Sequence, residues 1–306
     1  MSNNDQQRTG RVVTRYGAEL LVKIDNNEVI RCTAKRKFDH VACGDNVTIE
    51  LADHGNARLI DIAPRKNALT RPDYSHKLKT IAANIDQLVI IMSWRPDPFW
   101  ELLDRYLVTA HLLDATAVIV MNKDDLAAEY ATEKAIQSLE EYQQIGYRVI
   151  KTVADSEGDS EVLAKNSGLK ALHESLDDKT SVLVGQSGVG KSSLATLLLP
   201  DIDIVVGEVS NSGEGKHTTT TTTLYELPSG GGLIDSPGVR DFVLPDINEL
   251  QLREGYKEFA DYSPYCKFNN CSHAHEPGCK VRQALADGEL PASRYRRYLK
   301  LLSDIN

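Results

Sequence analysis

The apolar positions of this chain change period twice. Between residues 10 and 64, Leu20, Val22 and Ile24 alternate with other residues at period two, and so do Val47, Ile49 and Leu51. Such alternation marks half-buried strands. Gly17, Asn26-Asn27, Gly44-Asp45 and His54-Gly55-Asn56 punctuate them as turns. About five strands in this stretch predict a small OB-like β-barrel. Residues 65–80 read as a basic connector. Beyond it, strands Ile85–Met92, Ala117–Met121, Arg148–Thr152 and Ser181–Val184 alternate with helices Phe99–Leu113, Leu126–Tyr142 and Val162–Leu176. That order predicts a mainly parallel sheet with helices on both faces. From about Leu250 the chain turns helical and polar around a Cys/His knot. Pro291 interrupts it, and Ser293 can cap a last helix carrying Arg294, Arg296, Arg297 and Lys300. The expected domains are a barrel over 1–68, an α/β domain over 69–245 and a mainly helical metal-binding domain over 246–306.

Composition adds little to this picture, but charge does. Hydrophobic residues make up 41% and charged residues 26% of 306, as in ordinary globular proteins. No apolar run approaches the roughly 18 residues of a membrane span. The stretch MSNNDQQRTGR has no secretory h-region, so the cytoplasm is the expected location. A monomer is the default expectation. The net charge of −9 is uneven. Residues 1–70 hold 11 Lys+Arg against 9 Asp+Glu, residues 71–250 hold 15 against 28, and residues 251–306 hold 9 against 7. A polyanion would therefore meet the ends. The run Lys35-Arg36-Lys37-Phe38 sets basic residues beside an aromatic, as phosphate and base contacts require.

Two motifs carry the chemistry. Gly185-Gln186-Ser187-Gly188-Val189-Gly190-Lys191-Ser192 matches G-x-x-x-x-G-K-[ST] between an apolar strand and a helical run that begins Ser192-Ser193. Its glycines let backbone N–H groups converge on phosphate oxygens at a helix N-terminus. Lys191 is placed to reach the β- and γ-phosphates, and the Ser192 hydroxyl to hold Mg²⁺. The second motif, Asn122-Lys123-Asp124-Asp125, follows a strand as N-K-x-D. The Asp125 carboxylate can accept from N1 and N2 of guanine. Adenine lacks that donor pair and would leave the carboxylate unpaired. Asn122 can bridge to the phosphate loop and the Lys123 stem can cover the base. Asp125 precedes Gly185 by 60 residues, the reverse of the usual GTPase order. A circularly permuted GTP-binding domain is the consequence.

Asp235-Ser236-Pro237-Gly238 fits D-x-x-G, in which the Asp holds Mg²⁺ through water and the Gly238 N–H senses the γ-phosphate. The next residue is Val239, where regulatory GTPases carry a water-orienting Gln. His217 in Gly215-Lys216-His217-Thr218-Thr219-Thr220 is the candidate to position water. A threonine among Thr218, Thr219 and Thr220 is the candidate Mg²⁺ ligand, with Thr219 taken as the choice. Five cysteines are present. Cys32 and Cys43 stand apart, whereas Cys266, Cys271 and Cys279 cluster. In a reducing compartment a cluster points to metal. Cys266-x4-Cys271-x-His273-x5-Cys279 suits a closed tetrahedral Zn²⁺ site, with His275 as the competing imidazole.

Taken in order, the barrel, N-K-x-D, GQSGVGKSS, GKHTTT, DSPG and the Cys-Cys-His-Cys knot resemble the RsgA (YjeQ) family of ribosome-associated, circularly permuted GTPases, over nearly the whole chain. The resemblance implies an OB domain, a permuted G domain and a zinc domain. It implies a GTPase stimulated by the small ribosomal subunit, bound to that subunit and its 16S rRNA late in maturation. It also implies GTP contacts from Asn122 to Asp125 and from Gly185 to Ser193, a catalytic His217, and one structural zinc on Cys266, Cys271, His273 and Cys279. Two positions depart from the family pattern. Thr152-Val153-Ala154 stands where a base-side Ser-Ala is usual, and Lys216 replaces an Arg before the histidine, keeping the charge without the fork. Gly238 lies 28 residues before Cys266, so a shift there is expected to swing the zinc domain as a lever.

Overall fold

The structure is a computed structural model that describes residues 6–52, 56–72, 78–154, 167–199, 222–235 and 247–305. In chain order the strands are β1 (Gln7–Tyr16), β2 (Glu19–Ile24), β3 (Val29–Thr33), β4 (Asn46–Leu51), β5 (Asn56–Ile62), β6 (Ala68–Pro72), β7 (Leu78–Ala83), β8 (Gln87–Ser93), β9 (Thr116–Asn122), β10 (Arg148–Lys151), β11 (Thr180–Gly185), β12 (Thr223–Glu226) and β13 (Gly232–Asp235). The helices are α1 (Trp100–Leu112), α2 (Ala127–Tyr130), α3 (Glu133–Gln144), α4 (Ser167–Leu176), α5 (Lys191–Leu198), α6 (Glu249–Glu254), α7 (Lys280–Ala286) and α8 (Ala292–Ile305). They group into two compact units. One comprises 1–86, 154–183 and 191–242, the other 87–153, 184–190 and 243–306.

In the first unit β1 pairs with β2, β2 with β3, β3 with β5 in parallel, β5 with β4, and β4 returns to β1. This closed circuit is the expected OB-like barrel. Its core is Val12, Leu20, Val22, Ile24, Val47 and Ile49 among others, the inward set of the alternation. Phe38 is buried in the same core, so the 35–38 run exposes its cations but offers no ring for stacking. β1 also pairs with β12 at Thr14 and Thr223, β12 with β13, and β13 runs parallel to β11.

The predicted connector over 65–80 instead contains an antiparallel ribbon of β6 and β7. Its basic residues hide the pattern, although Arg65 acts as an internal donor. Arg65 Nε and Nη2 each donate at 2.7 Å to the buried Asp45 carboxylate. The Asn67 side chain both donates to and accepts from the Ile85 backbone, at 2.7 and 2.8 Å, and Leu69, Ala82 and Ala83 are buried.

In the second unit β8, β9 and β10 form a parallel sheet, and every residue of β8 is buried, as expected of a strand covered on both faces. The single helix predicted over 126–142 is broken. Ala131 is extended, and Thr132 caps α3 by accepting from the Ala135 N–H at 3.2 Å. The segment from 247 builds its own core from Leu252, Tyr256, Phe259, Val281, Tyr295, Tyr298 and Leu302, and Val108 of α1 belongs to that core. Gly255 permits this closeness, since a Cβ there would stand 2.8 Å from the Val108 methyls.

Candidate functional site

Within the second unit the phosphate loop and N-K-x-D lie against each other. Asn122 is buried at the end of β9, and its Nδ2 donates to Val189 O at 2.9 Å. Lys123 adopts a left-handed backbone, and its Nζ donates to Gly188 O at 2.7 Å. Gly188 and Gly190 have φ of +82° and +95°, a region that only glycine enters freely. A Cβ on Gly190 would overlap the Asn122 amide nitrogen. The spacing of glycines along one motif is thus set partly by the asparagine of the other. Gly190→Ala is expected to weaken GDP binding at least tenfold, given roughly 1–3 kcal/mol of backbone strain plus displacement of Asn122. Titration with a fluorescent GDP checks this, and affinity equal to the parent would refute it.

The loop Thr152-Val153-Ala154 completes the arrangement in a way the sequence did not disclose. Thr152 Oγ1 donates to Asn122 Oδ1 at 3.0 Å, which orients the amide so that its nitrogen faces the phosphate loop. Thr152 O accepts from the Asp124 N–H at 3.1 Å. Asp124 is tied down by Trp94 Nε1 at 3.0 Å and lies 3.9 Å from Lys151 Nζ. By contrast the Asp125 side chain is exposed and, among the described residues, has no hydrogen-bond or ion-pair partner.

The first unit carries Lys191, Ser192 and Ser193 at the start of α5 and Asp235 at the end of β13. Lys191 is buried and Ser192 exposed. His217, Thr218, Thr219, Thr220 and Gly238 lie outside the described residues.

The Cys/His knot converges in the second unit. One donor atom from each of Cys266, Cys271, His273 and Cys279 lies within 4.8 Å of the others. His273 Nδ1 is 3.7 Å from Cys266 Sγ and 3.4 Å from Cys279 Sγ. Metal bonds of 2.0–2.3 Å at tetrahedral angles put neighbouring donors roughly 3.3–3.8 Å apart, so the group fits one four-coordinate ion. Ser263 Oγ sits 2.9 Å from Nε2 and fixes the ring. Burial lowers the imidazole to about 4, keeping it in the neutral form that binds metal. Burial likewise pushes the Cys271 thiol up to about 12, with the neighbouring cysteines adding to it, a field that a cation would relieve. His275 is exposed and stands outside the group.

A buried ionic cluster, invisible in the sequence, fastens this metal segment to α1. Asp104 of α1 and Arg294 of α8 are both 0% exposed and ion-paired. Arg294 Nε reaches Glu258 at 2.6 Å, and Arg297 Nε reaches Asp104 Oδ2 at 2.8 Å. The Tyr142 hydroxyl of α3 donates to Asp104. Desolvation opposes the Arg294 charge, but Asp104 and Glu258 outweigh it and hold its pKa above the usual value. Arg294 and Arg297, which the sequence places on the last helix, are therefore internal ion partners. Lys300 is paired with Glu101.

Comparison with known proteins agrees with this geometry. Residues 62–245 match the model of the RsgA GTPase family. A small ribosomal subunit biogenesis GTPase RsgA of Chromohalobacter salexigens is 41% identical over 304 residues, covering 98% of this chain and 86% of that protein. The protein of the same name from Shewanella oneidensis is 38% identical over 307 residues, covering 98% and 84%. The crystal structure of YjeQ from Thermotoga maritima superposes with a TM-score of 0.76 at 30% identity, covering 98% of each chain. That of YloQ, a circularly permuted GTPase, gives 0.74 at 31% identity, covering 98% of this chain and 95% of that one.

Proposed function

The chain belongs to the RsgA GTPase family, and on that premise we propose how its own residues perform the work. It is a circularly permuted GTP hydrolase that serves small-subunit biogenesis, with GTP, GDP and the small ribosomal subunit as partners. One GTP sits between Asn122–Asp125 and Gly185–Ser193. Asp125 reads guanine, and the Lys123 stem covers the base. Backbone N–H groups from Gly185 to Gly190 and the Lys191 ammonium hold the phosphates. Ser192, Thr219 and Asp235 would hold Mg²⁺ with the nucleotide. Gly238 senses the γ-phosphate. His217 orients the attacking water, because the Val239 side chain has no polar atom to do so. Mg²⁺ supplies charge neutralisation of the phosphates. The observation that carries this reading is the Asn122 amide, held by Thr152 and bonded to the phosphate loop at Val189 O.

The domains run over 1–68, 69–245 and 246–306, with one structural Zn²⁺ on Cys266, Cys271, His273 and Cys279. The exposed Lys35, Arg36 and Lys37 of the barrel contact 16S rRNA phosphates. The protein acts in the cytoplasm as a monomer. GTP favours the subunit-bound state and hydrolysis releases it. Within the second unit Asp104, Glu258 and Arg294 tie the metal segment to α1, so a shift transmitted from Gly238 to that segment would reach α1 as well.

The test is GTP turnover with and without purified small subunits, for the parent and for His217→Ala. Subunits are expected to raise parent turnover, and His217→Ala to lose roughly a hundredfold in rate while still binding GTP. A variant as fast as the parent removes the histidine from the mechanism. A parent indifferent to subunits removes the stimulation.

A further inference from the structure

We infer that Tyr265 and Phe268, which flank the first metal ligand Cys266, form a stacking platform for unpaired RNA bases. The inference rests on the small-subunit reading above. Tyr265 is 72% and Phe268 40% exposed, on either side of Cys266 and Lys267. Of the large apolar side chains exposed among the described residues, only these two lie within four residues of each other. Neither ring packs on another aromatic ring among the described residues, and Tyr265 is the more exposed of the two.

The backbone that presents them is fixed. The Tyr265 N–H donates to Tyr262 O at 3.0 Å, and the Cys266 N–H to Ser263 O at 3.2 Å. The Lys267 N–H donates to Gly278 O and the Cys271 N–H to Phe268 O, each at 3.2 Å. The Cys266 thiol also accepts from the Lys280 N–H at 3.3 Å. A rigid aromatic loses little freedom when a base stacks on it.

Charge and chemistry select nucleic acid. The chain as a whole carries −9, yet no Asp or Glu occurs from Tyr262 to His275. Glu276, next in sequence, turns its carboxylate onto the Ser272 and His275 N–H groups at 2.8 and 3.2 Å. Lys267 Nζ lies 5.5 Å from the Phe268 ring centroid. Lys280 is exposed, as are Asn269 and Asn270. Two exposed rings, two lysines and two amides match an RNA loop, whose splayed bases stack on aromatics, hydrogen-bond along their edges and carry phosphates.

The test compares binding of the full, metal-loaded chain, with a non-hydrolysable GTP analogue, to intact small subunits and to protein-free rRNA extracted from them. Tyr265→Leu/Phe268→Leu keeps apolar bulk and removes the rings. Tyr265→Phe/Phe268→Tyr keeps the rings. The leucine pair is expected to bind both probes roughly 10- to 100-fold more weakly, with metal content and basal GTP turnover unchanged. The ring-conserving pair is expected to match the parent. Lys267→Ala is expected to reduce the slope of log affinity against log salt by about 0.7, which the leucine pair leaves alone. A leucine pair that binds as tightly as the parent overturns the platform and leaves the small-subunit reading intact. Loss on intact subunits without loss on protein-free rRNA also overturns it, in favour of a ribosomal protein partner. A parent that binds neither probe overturns both readings.

Discussion

Stripping the metal from this protein is expected to unfold residues 247–305 and to loosen α1 with them. The four donors lie within 4.8 Å of one another, close enough to share one cation. Structural zinc contributes about 10–16 kcal/mol of apparent binding energy at neutral pH, as much as the whole stability of a typical domain. The metal loop also anchors the last helix. His273 O accepts from the Tyr295 hydroxyl at 2.6 Å, Ser272 O from the Tyr298 hydroxyl at 2.5 Å, and Cys271 O from Arg253 at 2.9 Å. Tyr295 and Tyr298 share their core with Val108 of α1. The readout is convenient, because both tryptophans, Trp94 and Trp100, fall in this unit. After treatment with a strong chelator, tryptophan emission should shift to the red and fluorescent GDP should bind more weakly. Unchanged emission and melting in a sample shown by elemental analysis to be metal-free would refute this.

Arg294→Leu is expected to be nearly as damaging. It leaves Asp104 fully buried and Glu258 nearly so, without their main counter-charge. Breaking one side of a buried pair costs about 3–5 kcal/mol. Arg294→Lys should rescue little, because a single ammonium cannot bond both carboxylates at the angles of a guanidinium. Arg297→Leu should cost less, about 1.5–3 kcal/mol, since Arg294 still neutralises Asp104. Urea titration of the metal-loaded chain, followed by tryptophan emission, measures all three. An Arg294→Leu midpoint within error of the parent would mean that water reaches Asp104.

What the sequence disclosed and what it hid follow from distance along the chain. The phosphate loop was legible because Gly188 and Gly190 dictate their backbone locally, and Asn122 advertised its partner through a motif of four residues. The barrel was legible because Leu20, Val22 and Ile24 face the core at the period of a strand. Arg294 was misleading because its burial depends on an acid 190 residues away, and no local pattern separates such an arginine from a solvated one. Arg65 deceived in the same way within the ribbon. Thr152 was readable only as a departure from a family pattern, since its value lies in a bond to Asn122, 30 residues distant. The break at Ala131 was signalled by Thr132, a good cap, but was masked by apolar residues on either side that keep helical spacing.

The tie between Asp104 and Arg294 also fixes a schedule for the growing chain. Translation delivers the carboxylate 190 residues before the guanidinium that neutralises it. Throughout that interval α1 must hold a charge in water that the finished molecule hides. The unit that carries N-K-x-D and the phosphate loop therefore keeps a buried charge unpaired until the last helix is made, so a newborn copy stopped short of residue 294 should bind GDP more weakly than the finished chain, although every nucleotide motif has already been synthesised.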